Sequence, residues 1–233
     1  MCGRFNVSSS PLSDLLMELV GLTHPGLDNY NTAPTETVTV LRLGDDGEPE
    51  LAPMRWWLTP FWAKEMSAKY SMFNAKSETI EKSPAFREPY KKRRCVVPIS
   101  GFYEWARANN QKLPYYLTPF SAPGMLLAGI WDRWRNKDSD EVVESFAVLT
   151  CPANEQLKFV HSRQPVMLSM RDAQRWLDPE VEPKELKELF GSFVPVELNA
   201  VPVSSYVNNA RNKEVRCVEP IGKVLSIAPD GPG

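Results

Sequence analysis

Cys2, in the opening MCGRF, carries the most distinctive chemistry in this sequence. A small second residue permits removal of Met1. That leaves an α-amine of pKa about 7.7–8.0 on the carbon next to one bearing a thiol of pKa about 8.5. Both groups are then partly in their nucleophilic forms at neutral pH. Such a 1,2-aminothiol condenses with an aldehyde to an imine, which the thiol closes to a thiazolidine. An internal cysteine lacks the amine and cannot do this. The plainer alternative is a small second residue with no role.

Three further residues suit proton transfer or the holding of oxygen. His161, in FVHSRQPVML, stands beside Arg163. That charge depresses an imidazole pKa and keeps the ring available as a base or neutral donor; the alternative is a hydrogen-bonded structural histidine. Glu104, in GFYEW, sits among Phe102, Tyr103 and Trp105. A carboxylate squeezed by these rings has a raised pKa, as a proton shuttle needs, whereas a solvated strand carboxylate does not. Asn74, in MFNAKSET, is either a turn former or an amide that holds a sugar oxygen or an oxyanion. His24, between Thr23 and Pro25, reads as a surface loop residue.

Cations and rings form a second set. Trp56, Trp57, Phe61 and Trp62 crowd around Pro60, with Lys64 and Lys69 close behind. Most of these rings belong to a core; one or two left at a groove are stacking platforms for unpaired bases. Arg4, Lys76 and Arg163 are the cations nearest the reactive candidates, and each suits a phosphate. KKRR (91–94) reads as a solvated helix end leading into a strand.

The elements that must position these residues are short. The chain has 233 residues, enough for a sizeable core in one large domain or two small ones. Its 21 prolines argue against long helices or a helical repeat. Apolar residues at 42% and charged ones at 24% are ordinary for a soluble globular chain. There is no apolar run of bilayer length and no signal-peptide pattern. Cys2, Cys95, Cys151 and Cys217 form no CxxC, and two histidines leave few zinc ligands, so neither metal nor cofactor is expected. Scattered thiols fit a reducing cytosol. A net charge of −2 confines any nucleic-acid contact to a local groove.

Ser10 as N-cap, Pro11 at the first helical position and Gly21 as terminator bracket a helix whose Leu12, Leu15, Leu16 and Leu19 share one face. TVTVLRL (37–43) and PELAPMRWWL read as strands around a DDGE turn. RRCVVPISGFYEW, PYYLTP, MLLAGIWDRW and SFAVLT read as further strands, and SPAFREPYKKR, ANEQLKFVH, SMRDAQRWL and EPKELKELFG as short helices. The predicted class is α+β: a twisted antiparallel sheet or barrel-like core with short peripheral helices. Residues 1–221 are expected to form a single domain and 222–233 a flexible tail. A nucleotide-binding parallel sheet is disfavoured, because no strand–helix alternation or glycine fingerprint occurs.

MCGRF, YNTAPT (30–35), WWLTPFW (56–62), FNAKSET (73–79), RRCVVPISGFYEW (93–105), AGIWDRW (128–134), FAVLTCPAN (146–154), HSRQPV (161–166) and PVSSYVNN (202–209) occur in this order. Together they resemble the SOS response-associated peptidase (SRAP) family, whose members crosslink to abasic sites in single-stranded DNA. The resemblance implies that Cys2, freed by loss of Met1, forms a thiazolidine with the ring-opened sugar. It implies Asn74 as the group holding the amine or sugar, Glu104 as general acid and base in imine formation and Met1 removal, and His161 as the group that opens the sugar ring. It also implies that Arg4, Lys76, Thr150 and Arg163 contact the strand, while Pro34 and Trp62 meet flanking bases. Trp57, Lys76 and Gln164 depart from the family's usual glycine, arginine, and methionine or arginine.

The expected partner is single-stranded DNA with abasic sites, with no membrane, and the expected state is a monomeric cytoplasmic protein that joins the nucleoid when bound to DNA. A thiol peptidase acting on other proteins and a non-catalytic reader of single-stranded DNA are the competing readings.

Overall fold

The structure, a computed structural model, describes residues 2–67, 70–108 and 111–231. The chain enters through β1 (Phe5–Val7) and α1 (Ser9–Val20). The helix starts earlier than Ser10 because Asp28 reaches over to cap it, accepting from the Ser9 N–H at 2.8 Å and the Ser9 hydroxyl at 2.9 Å. Gly21 ends it in the left-handed conformation, φ 72°, where a side chain would be strained. Leu12, Leu15, Leu16 and Leu19 are all buried. Next come β2 (Asn29–Thr32), β3 (Thr37–Leu43), β4 (Pro49–Trp56), β5 (Asn74–Lys76) and α2 (Arg87–Lys92). The centre of the chain is β6 (Arg94–Ile99), β7 (Gly101–Ala108), β8 (Gln111–Pro119), β9 (Met125–Arg135) and β10 (Val142–Pro152). The remainder is β11 (Arg163–Pro165), β12 (Met167–Leu168), α3 (Met170–Leu177), β13 (Leu198–Pro202) and β14 (Leu225–Ile227).

Strands β10, β4, β3, β6 and β9 pair in that order, and β9 pairs again with β10, so five strands close into a barrel. Closure leaves these strands no free edge. A second sheet runs β14-β13-β8-β7-β1-β2. The α+β barrel-like core is as the sequence predicts, with one difference. β10 pairs in parallel with both β4 and β5, so the core is not wholly antiparallel.

RRCVVPISGFYEW, which reads as one strand, is divided between the sheets at Ser100. Gly101 begins β7 where a Cβ would lie 2.5 Å from the Leu117 carbonyl oxygen, so only glycine lets the two strands meet there. The KKRR run is less solvated than expected: Arg93 pairs with Asp132 at 3.1 Å, and Arg94 is buried, donating to the Trp176 carbonyl at 2.7 Å. ANEQLKFVH and EPKELKELFG form only 3-10 turns, Glu155–Leu157 and Glu185–Phe190. The segment after residue 221 departs from the expected tail, since β14 pairs with β13 and Asp230 bridges Val194.

Candidate active site

The amino-terminal segment is tied into the seam between the two sheets. Phe5 pairs with Thr32 and with Phe102, and the Tyr103 N–H donates to the Arg4 carbonyl at 2.9 Å. The Phe5 ring packs 4.4 Å from that of Trp56, which in turn stacks on Phe146 of the barrel. A terminus held this way is fixed enough for chemistry. Cys2 is fully buried within this packing, and its carbonyl accepts a hydrogen bond from the Asn74 amide at 2.8 Å. β5 delivers Asn74 to that spot by pairing alongside Val148 of β10. The Asn74 side-chain oxygen is also buried and has no hydrogen-bond partner among the described residues.

Burial pushes the Cys2 thiol up to about 12, and the nearby Glu104 charge adds to that, while a hydrogen bond from the Arg4 N–H works against it. The thiol is therefore protonated at neutral pH. Cys2 does not line the open cleft, contrary to the expectation that it faces a groove; its tie to Asn74 and the pairing of Phe5 draw it inward.

That cleft, about 860 Å³, is lined by Glu104 and His161. Successive strand residues face opposite ways. Phe102 therefore enters the main core and Tyr103 the smaller cluster behind β7, leaving Glu104 on the Phe102 side, toward Cys2. Burial raises its carboxyl to about 7, only partly offset by a hydrogen bond from the Trp105 N–H. His161 is held by the Arg163 N–H, which donates to Nδ1 at 2.9 Å. A ring accepting at Nδ1 is neutral with its proton on Nε2, so the imidazole is a donor there. Burial lowers its pKa, and the Arg163 and Arg107 charges act in the same direction.

The cations foreseen as phosphate ligands are differently placed. Arg163 forks onto Glu78 at 2.6 and 2.9 Å and also donates to the Thr150 carbonyl, holding the Glu78 carboxyl down at about 2. Thr150 is fully buried and bonded to that guanidinium, so it offers no surface to a strand. Arg4 donates to Asn31 Oδ1 at 2.7 Å and the Val207 carbonyl at 2.9 Å, tying β1 to the late 3-10 turn Ser205–Asn208. Lys76 and Lys64 are exposed, Pro34 is half-buried, and Lys69 lies outside the described residues. Thr35, after Pro34, holds a φ of 81°, a strained setting for a β-branched residue. Of the tryptophans, Trp56 is core, Trp57 leans on Phe73, and Trp62 is 55% exposed.

Sequence reasoning passed over Arg107, Lys112 and Phe159, which line the same cleft. No local signal marks them; the pairing of β7 with β8 is what sets Arg107 opposite Lys112.

Residues 1–210 match the family described as SOS response associated peptidase (SRAP). The chain belongs to the SRAP family. This SRAP chain is 31% identical over 228 residues to the abasic site processing protein YoqW of Bacillus subtilis strain 168, covering 94% of the chain and 99% of that protein. It is 32% identical over 224 residues to the abasic site processing protein HMCES of Xenopus tropicalis, covering 83% of the chain and 66% of that protein. A crystal structure of a Bacteroides thetaiotaomicron protein shares the SRAP chain's fold at a TM-score of 0.79, with 24% identity over 94% of this chain and 99% of that one. A phage-related protein of Bordetella bronchiseptica gives a TM-score of 0.68 at 28% identity, over 87% of this chain and 94% of its own.

Proposed function

We propose that this protein acts on DNA with abasic sites, and that after loss of Met1 its Cys2 captures the lesion in single-stranded DNA as a thiazolidine. The observation that carries this reading is the assembly around Cys2. Asn74 is bonded to its carbonyl, and Glu104 is near enough for its charge to raise the thiol. His161 shares the cleft of Glu104. The relatives' activity on abasic sites supports the same substrate.

In this scheme the neutral His161 hydrogen-bonds through Nε2 to the sugar's ring oxygen and favours the open aldehyde. The Cys2 amine attacks that carbonyl carbon; a C–N bond forms and water leaves. Glu104, with a pKa of about 7, is protonated often enough to give the departing oxygen its proton and ionised often enough to accept one from the amine. The orphaned Asn74 oxygen accepts an N–H of that amine, fixing its lone pair toward the cleft. The thiol then adds across the C=N bond. Sulfur bonds to carbon, and the thiol proton passes to nitrogen through Glu104. Because ring closure consumes the imine, the β-elimination that breaks a strand at an imine has no intermediate to start from. The lesion is shielded in a single turnover. Before this, Glu104 assists removal of Met1, which confines peptidase chemistry to the protein's own terminus. A monomer suffices for the scheme, since every group in it comes from one chain.

Mixing the protein with single-stranded DNA carrying one abasic site, followed by a denaturing gel, tests the proposal. A slow-migrating band that Cys2→Ala abolishes supports it. No covalent band with the wild type refutes it. Release of fragments from added polypeptides without a DNA adduct would assign a thiol peptidase instead.

A further inference from the structure

Arg107 of β7 and Lys112 of β8 stand directly opposite each other in register. Like charges at paired positions repel and weaken a hairpin. Neither side chain makes an ion pair or a side-chain hydrogen bond among the described residues. Both line the cleft that holds Glu104 and His161. The turn leading to His161 adds Phe159 to the same lining, with its side chain 41% exposed. The edge-to-face contact of this ring with Tyr115, at 5.3 Å and 88°, sets its direction. Lys158, its neighbour, is paired with Glu155 and adds no unbalanced charge.

An exposed, oriented ring beside two unpaired cations matches the two parts of a single strand, a base with a stacking face and a charged backbone. We infer that Phe159, Arg107 and Lys112 form a nucleotide subsite beside the reacting position, in which Phe159 stacks a base of the same strand and the two cations hold its phosphates. A compact anion would occupy the cations but leave the ring unused. This inference rests on the reading that the cleft takes a DNA strand, and it adds which residues grip the nucleotides flanking the lesion.

The test uses the full chain and labelled single strands that carry a non-reactive tetrahydrofuran lesion, extended on both sides, or truncated on one side or the other. Affinity is read by fluorescence anisotropy against salt. Adduct yield at saturating DNA is read separately with a true abasic site. Phe159→Ala is expected to weaken binding roughly tenfold on strands extended to one particular side and to change nothing on strands truncated there. Phe159→Leu, which keeps apolar bulk without the ring, should do the same and covers the case in which alanine misfolds. Replacing Arg107 and Lys112 together by Gln should lower the salt slope by about 0.7 per cation removed. The adduct formed by the wild type is the control showing that the strand reaches the reacting position. Unchanged affinity and slope in every variant, with the wild-type adduct still forming, would overturn the subsite. Weakened binding by the variants in a wild type that forms no adduct would keep the subsite and remove the crosslinking proposal.

Discussion

The Asn74 amide donates to the Cys2 carbonyl at 2.8 Å, while the oxygen of the same amide is buried without a partner among the described residues. One side chain thus spends its donor on positioning the terminal residue and keeps its acceptor unused in a place where an unmet acceptor is costly. Replacing Asn74 by Ala should slow adduct formation about tenfold or more in single-turnover gels, with little loss of affinity for undamaged strands. An unchanged rate would mean that the amide only shapes the loop.

Glu104 links function to stability. Its folded pKa of about 7 exceeds the usual 4.5, so the folded state binds its proton more tightly than the unfolded state does. The associated stability is therefore complete below about pH 4.5 and is lost as pH rises through about 7, by roughly 3–4 kcal/mol at most. Glu104→Gln should raise the Tm relative to wild type at pH 8 and leave it nearly equal at pH 4.5. It should also slow adduct formation about a hundredfold at neutral pH. A Tm gain that is independent of pH would show that the carboxyl is not held near neutrality.

Glu78 neutralises Arg163, whose backbone N–H holds His161, through a two-pronged ion pair. If Arg163 serves DNA, Glu78→Gln should release it, tighten binding to single strands and steepen the salt slope by about 0.7. A flat response in the salt titration would confine Arg163 to its internal bonds with Thr150.

Asn31 is fully buried, and its amide donates to the carbonyls of Val207, Asn209 and Asn212, while its oxygen accepts from Arg4. Asn31→Ala strands several buried groups at once and should cost about 2–4 kcal/mol in urea unfolding. Hydrogen exchange should speed up first between Tyr206 and Lys213. Uniform loss of protection along the whole chain would show that this clamp has no local role.

Local patterns in the chain carried the local structure. The four leucines of α1, the TVTVLRL strand and the left-handed stop at Gly21 all follow from spacing and backbone freedom. What needed the structure was long-range pairing. Nothing near Arg163 in sequence shows that Glu78 will take its fork, and nothing near Arg4 shows that Asn31 and Val207 will hold it. Arg4 and Arg163, expected to hold phosphates, thus also brace the fold. Conversely, sequence reasoning passed over Arg107 and Lys112, because only the pairing of β7 with β8 sets them face to face. Cys2, Glu104 and His161 were legible because their chemistry is unusual for their surroundings; the burial that tunes the acid to about 7 was foreshadowed by the rings flanking it.

Intact-mass spectrometry of the protein after mixing with abasic single-stranded DNA bears most directly on Cys2. The expected species is the chain without Met1 joined to the whole, unbroken strand less one water, unaffected by borohydride. An adduct that keeps Met1, that needs borohydride to survive, or that carries only a cleaved strand would contradict the thiazolidine.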